Sequence, residues 1–122
     1  MELRQLRYFV AVAEKLSFTN AARELYVTVA PLSRQVRQLE EELGVDLFVR
    51  DRRHVLLTDI GRIFCGEAKA MVDHADHVLQ SMSLAKRGQI GLVRIAMTSG
   101  VRERLNRVLI EYSKRFPAVE FQ

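Results

Sequence analysis

Residues 17–34 read Ser17-Phe18-Thr19-Asn20-Ala21-Ala22-Arg23-Glu24-Leu25-Tyr26-Val27-Thr28-Val29-Ala30-Pro31-Leu32-Ser33-Arg34. Ser17 is a cap-type residue, and Phe18, Ala21, Ala22 and Leu25 then return at helical spacing, which predicts a short helix with one inward face. Its paired alanines let a neighbouring helix come close. Tyr26 and Val27 make a tight connection to Thr28, which is expected to cap a third helix through the amide of Ala30. Pro31 falls in that helix's first turn, where its missing N–H does little harm. Leu32, Val36, Leu39 and Leu43 lie within about 60° of one another around the axis and face a core, and Gly44 supplies a left-handed stop. Ala30, Ser33, Arg34 and Arg37 remain on the opposite face. Small residues and two cationic donors near the start of an exposed helix suit a DNA major groove, where arginine grips guanine O6 and N7. A solvated charged face is the alternative, and the short helix and tight turn before it weigh against that alternative.

Outward from this stretch the pattern continues. Leu3, Leu6, Phe9, Val10, Ala13 and Leu16 recur at steps of three and four, the stripe of an amphipathic helix over residues 3–16. After Asp46 the period changes. Residues 47–50 and 54–57 read as two short strands around a cationic turn, with Arg50, Arg52 and Arg53 placed to meet phosphates or a narrow minor groove. The expected fold is mainly α: a winged helix-turn-helix of three helices and a two-stranded wing over residues 1–58.

From Thr58 to Arg87 there is no proline, and a long helix is expected over 59–87, with Gly61 and Gly66 as weak points near its start. Phe64, Ala68, Met71, Ala75, Val78 and Met82 alternate steps of three and four, the seam of a coiled coil. So long a stripe favours pairing with a second copy of the chain. Asp73-His74-Ala75-Asp76-His77 flanks that seam with no cysteine or third histidine nearby, so polar edges are expected there and no metal. Residues 91–97 read as a strand. Val101, Leu105, Val108, Leu109, Tyr112 and Phe116 read as an amphipathic helix halted by Pro117, giving a truncated α/β remnant over 88–122.

At 122 residues and 48% apolar content the chain holds one small domain and a remnant. No apolar run is long enough for export or membrane insertion, and the single cysteine, Cys65, can form no internal disulfide, so a reducing cytoplasm is the expected setting. The net charge of +4 decides little by itself, because residues 1–57 hold nine Lys/Arg against eight Asp/Glu. No cofactor is expected, and no nucleophile with a base, metal triad or phosphate loop marks an enzyme. A protein-docking module remains a rival, decided by whether the arginines cluster on one surface. Single-strand or RNA binding would need exposed aromatics, whereas Phe9, Phe18, Phe48 and Phe64 sit at positions read as buried or interfacial.

Several local strings resemble the amino-terminal part of LysR-type transcriptional regulators: Leu3-Arg4-Gln5-Leu6-Arg7-Tyr8-Phe9, Ser17 through Ala22, Leu32 through Glu40, Glu42-Leu43-Gly44, Leu47-Phe48-Val49-Arg50 and Leu57-Thr58-Asp59-Ile60-Gly61. The resemblance covers nearly the whole chain and is most specific over residues 1–61. It implies that the stretch from Thr28 to Arg34 enters the major groove of a pseudo-palindromic operator. Thr28, Pro31, Ser33, Arg34 and Arg53 would then be contacts, with Ser17, Phe18 and Thr19 near phosphates. It also implies homodimers through the long helix, which pair into tetramers in the intact protein. Where the family usually carries glutamine and then proline or serine, this chain has Val29 and Ala30. Valine offers a thymine methyl only apolar contact, so an altered preference at one base position is expected. Thr98 and Ser99 match a position that helps hold a small carboxylate co-inducer, with the resemblance closest to regulators of aromatic-compound breakdown. A pocket needs the rest of an effector-binding domain, so these residues alone are not expected to bind one.

Overall fold

The computed structural model describes residues 1–122 apart from Arg52 and residues 96–101, and for Ile90 and Arg102 only the backbone. Among the described residues the elements follow in the order α1 (Leu3–Lys15), α2 (Phe18–Glu24), α3 (Val29–Leu43), β1 (Phe48–Arg50), β2 (Val55–Leu57), α4 (Asp59–Lys86), β3 (Ile90–Val93), α5 (Arg102–Arg115) and β4 (Ala118–Phe121). They divide into two compact units, Met1–Ala75 and Asp76–Gln122, and the division falls inside α4.

The first unit is built around Leu6, Phe9 and Val12 of α1, Ala21 and Ala22 of α2, and Leu32, Val36 and Leu39 of α3. Leu47, Phe48, Cys65 and Ala68 close the same core. Leu3, Leu16 and Leu43 were expected inward but stand at its rim, each at least one-third exposed, because they fall at helix ends where the stripe runs off the packed surface. Rings hold the centre together: Phe9 lies 5.3 Å from Phe48 and 5.2 Å from Phe64, and Phe18 meets Phe48 edge-on at 5.8 Å. Offset pairs of this kind add to the area they bury. One polar link crosses the core edge, where buried Gln5 donates from Nε2 to Oε1 of Gln35 at 3.3 Å, tying α1 to α3.

The expected stops and starts are present. Ser17 Oγ accepts from the amide of Asn20 at 3.1 Å, and Gly44 takes the left-handed conformation with φ of 71°. Thr28 departs from expectation: it occupies the N-cap position of α3, but its side chain accepts no bond from the helix amides. Its hydroxyl is left uncommitted at the tip.

β1 and β2 pair antiparallel, Phe48 opposite Leu57, Val49 opposite Leu56 and Arg50 opposite Val55. No glycine shapes the turn. Asp51 does so instead, its Oδ1 accepting from the amides of Arg53 at 2.6 Å and His54 at 3.1 Å. The amides of Arg53 and then His54 hold the Asp51 carboxyl below its ordinary value of 3.8.

The junction into α4 corrects the reading of Gly61 as a weak point. Thr58 Oγ1 donates to the carbonyl of Asp46 at 2.7 Å and accepts from the amide of Gly61 at 2.8 Å, while the Thr58 amide donates to Leu47 O at 3.0 Å. The helix therefore starts pressed against Leu47, and a Cβ on Gly61 would lie 2.1 Å from that carbonyl oxygen. Only glycine fits so close an approach.

In the second unit β3 and β4 run parallel, joined through α5 as a βαβ unit. Tyr112 packs on Phe116 at 4.8 Å and on Phe121 at 5.7 Å, its hydroxyl donates to the carbonyl of Gly88, and Val119 is buried. Val108 was expected on the inner stripe of α5 but is 62% exposed. Two strands cover only part of the helix's apolar arc.

Candidate nucleic-acid interface

The amino-terminal end of α3 is open and carries hydrogen-bonding groups. Thr28, Val29, Ala30, Arg34 and Arg37 are exposed, whereas Pro31 and Ser33 are half-buried. The amides of the first turn have no partner further back in the helix, and the dipole makes this end weakly positive. Behind it Leu32, Val36 and Leu39 are fully buried, so the exposed residues stand on a fixed support.

Around that tip the residues expected to touch DNA separate into those that face solvent and those that do not. Thr19 is exposed at the start of α2. Ser17 and Phe18 are not placed alike: the Ser17 hydroxyl is used in capping, and the Phe18 ring is held between Phe48 and the guanidinium of Arg50, which lies 5.4 Å from its centroid. Phe18 is thus half-buried and part of the support behind the tip.

Arg50, expected as a wing cation for phosphate, donates from Nη2 to Oε1 of Glu40 on α3 at 2.6 Å, with its side chain 28% exposed. Burial pushes the Glu40 carboxyl up from its ordinary 4.5, and the Arg50 charge and the Leu47 amide pull it back. The pair therefore locks β1 onto α3. Arg37 and Arg50 share an open hollow with Glu40, Glu41 and Asp46, so the carboxylates offset much of the positive charge there. Among the described residues Arg34 and Arg37 on α3 and Arg53 on the wing are exposed cations, and none of the three forms an ion pair. Arg52, Thr98 and Ser99 lie outside the described residues.

The proposed seam on α4 also divides. Phe64, Ala68 and Met71 pack on the first unit's own core, with Ala68 fully buried and Phe64 against Phe9. Phe64 and Met71 remain partly exposed beside the buried Ala68. Ala75 is half-buried. In the second unit Val78 is 42% exposed and Met82 60%, and beside them Leu79, which heptad spacing passed over, is 67% exposed. Sequence reasoning also passed over Tyr26, which stands in the turn before α3 with 96% of its surface exposed. Its neighbours in sequence carry no signal for this, since a turn aromatic is as readily folded inward.

Comparison with known proteins fits this geometry. AlsR of Bacillus subtilis (strain 168), an HTH-type transcriptional regulator, is 42% identical over the whole of this chain, which spans 41% of that relative's length. The crystal structure of CbnR, a LysR family transcriptional regulator, superposes over the full chain with a TM-score of 0.87 at 32% identity, covering 43% of CbnR. The DNA-binding domain of BenM in complex with benA site 1 DNA aligns with 71% of this chain and 94% of its own at 48% identity, TM-score 0.63. Residues 3–62 match the family of bacterial regulatory helix-turn-helix proteins of lysR type, and with the three-helix core and its wing in place the chain belongs to the LysR family.

Proposed function

We propose that this chain binds duplex DNA sequence-specifically as a dimer, with the start of α3 in the major groove and the wing on the backbone or in the minor groove. The observation that carries the reading is the α3 tip: an uncommitted Thr28 hydroxyl and an exposed, unpaired Arg34 on a helix fixed from behind by the core. In support, a BenM domain solved on its DNA aligns with 71% of this chain.

On this reading Arg34 and Ser33 reach base edges, Thr28 and the first-turn amides take a phosphate or base edge, and Val29, Ala30 and Pro31 make apolar contacts such as a thymine methyl. Thr19, Arg37, Arg53 and Arg52 serve the backbone or minor groove. Arg50 and Phe18 act by positioning the wing against α3. Val78, Leu79 and Met82 pair with a second copy, placing two recognition helices on two half-sites so that the second contact becomes intramolecular. A small carboxylate co-inducer, pairing of dimers into tetramers and a cytoplasmic setting are further proposals, since the chain spans 41% of the length of its relative AlsR. No helix among the described residues is long and apolar enough to cross a membrane.

Fluorescence-anisotropy titration tests the reading, with a randomised duplex and a pool selected by the chain itself as probes, at low and physiological salt. Loss of a bidentate arginine contact is worth about 1–3 kcal/mol, so Arg34→Ala should weaken binding to the selected pool roughly five- to 150-fold and bring it near the randomised duplex. A folded chain that binds neither probe at low salt would make the front unit a protein-docking module instead.

A further inference from the structure

Three helices of this chain end in the same closure, in which two successive amides fold back onto carbonyls of the last turn. At the end of α3 the amide of Val45 donates to Glu40 O and that of Gly44 to Glu41 O, both at 3.2 Å. At the end of α4 Gln89 donates to Leu84 O at 2.9 Å and Gly88 to Ala85 O at 3.0 Å. At the end of α2 Val27 donates to Ala22 O at 3.0 Å and Tyr26 to Arg23 O at 3.4 Å. This closure needs one residue in the left-handed region, and φ there is 71° at Gly44, 72° at Gly88 and 56° at Tyr26. Two of the three positions carry glycine, for which that conformation is free of steric penalty. The third carries a bulky ring, for which it is strained.

Packing does not compensate. Tyr26 is 96% exposed, so its ring buries almost nothing against the chain. Among the described residues the other non-glycine one with positive φ, Leu16 at 48°, keeps more than half of its surface covered. Strain without any internal return points to a contact made outside the chain. Tyr26 stands two residues before Thr28, within about 7 Å of chain, at the mouth of the α3 tip.

We propose that Tyr26 is a DNA-backbone contact, its phenolic hydroxyl donating a hydrogen bond to a phosphate oxygen beside the groove that α3 enters. Tyrosine is among the side chains that bind phosphate oxygens, and such a contact sets register without reading sequence. This assignment rests on the DNA-binding reading above and names a further residue of that same surface.

Tyr26→Phe removes only the hydroxyl. Tyr26→Asn keeps a side chain that tolerates the left-handed conformation and relieves the strain. Both are titrated as the full chain beside wild type and Arg34→Ala, with the randomised duplex and the selected pool as probes, and all four are melted by circular dichroism. One hydrogen bond to a charged phosphate oxygen corresponds to about a ten- to 150-fold loss in affinity, and Tyr26→Phe should show it equally on both probes. Tyr26→Asn should melt at or above wild type and still lose the same factor, which a purely structural role would not produce. Arg34→Ala should differ by losing preference for the selected pool. If Tyr26→Phe binds both probes as wild type does while Arg34→Ala is impaired, the Tyr26 assignment falls and the DNA reading stands. A protein partner for the exposed ring is then the surviving alternative. A loss confined to the selected pool would also overturn it, because the contact would then be to a base. If folded wild type binds neither probe, both readings fall together.

Discussion

Replacing Gly61 with alanine adds one methyl group at the point where α4 starts against the wing. That carbon would lie 2.1 Å from the Leu47 carbonyl oxygen and 3.0 Å from its carbon, and both are backbone atoms. Ordinary contact distances are near 3.5 Å, so the helix start or the Leu47 peptide must shift by about 1 Å or more. That carbonyl also receives the Thr58 amide at 3.0 Å and the Thr58 hydroxyl at 3.3 Å, so movement weakens the junction's hydrogen bonds. Overpacking of this kind costs about 1–3 kcal/mol and a weakened hydrogen bond about 1 kcal/mol more, against a helix-propensity gain of about 1 kcal/mol. The net expectation is about 1–3 kcal/mol of destabilisation, or a melting temperature lower by roughly 5–20 °C for a unit of this size. Gly66, five residues on in the same helix, has nothing within 4 Å of the same added carbon. There alanine should stabilise by about 0.5–1 kcal/mol. Thermal melts of Gly61→Ala and Gly66→Ala by circular dichroism should therefore move in opposite directions. Two variants shifting the same way, or Gly61→Ala melting with wild type, would refute the close approach of α4 to Leu47.

Other perturbations follow from the same geometry. Arg50→Ala leaves the buried Glu40 carboxylate without its cation, and a loss of about 2–3 kcal/mol is expected near neutral pH in urea titrations. The Glu40 pKa is raised in the folded state, so its contribution is fully present below about 4.5 and declines as pH rises through the folded value. The deficit of Arg50→Ala should accordingly shrink on acidification, and a deficit independent of pH would count against the pair. Asp51 is shifted the other way: its contribution is present above about 3.8 and is lost as pH falls through the lower folded value. Asp51→Ala should speed amide hydrogen exchange at Arg53 and His54, and unchanged exchange would mean the turn does not depend on its carboxylate. Paired substitution of Leu79 and Met82 by lysine should raise the dimer dissociation constant at least tenfold by analytical ultracentrifugation, whereas Phe64→Ala should lower thermal stability, because its ring belongs to the core. Equal dimerisation by wild type and the lysine pair would remove those residues from the interface.

Much of this molecule could be read without coordinates, for a physical reason. Helix starts and stops are set by interactions within a few residues, so Ser17, Pro31 and Gly44 announce them locally, and periodicity names Leu6, Phe9, Leu32, Val36 and Leu39 as core because one helix has one inward face. The strings shared with LysR regulators carry the fold and the α3 tip for the same reason. What the sequence left undetermined depends on partners distant along the chain. Whether Arg50 meets DNA or Glu40 turns on a contact between a strand and a helix. Phe64, Ala68 and Met71 have the spacing of a seam, and spacing alone cannot distinguish a second chain from the core of the chain's own first unit. Gly61 reads as a helix defect until the Leu47 carbonyl is found against it. The exposure of Tyr26 likewise depends on how the turn is set, because the local signal fixes its backbone but not which way an aromatic ring is left to face.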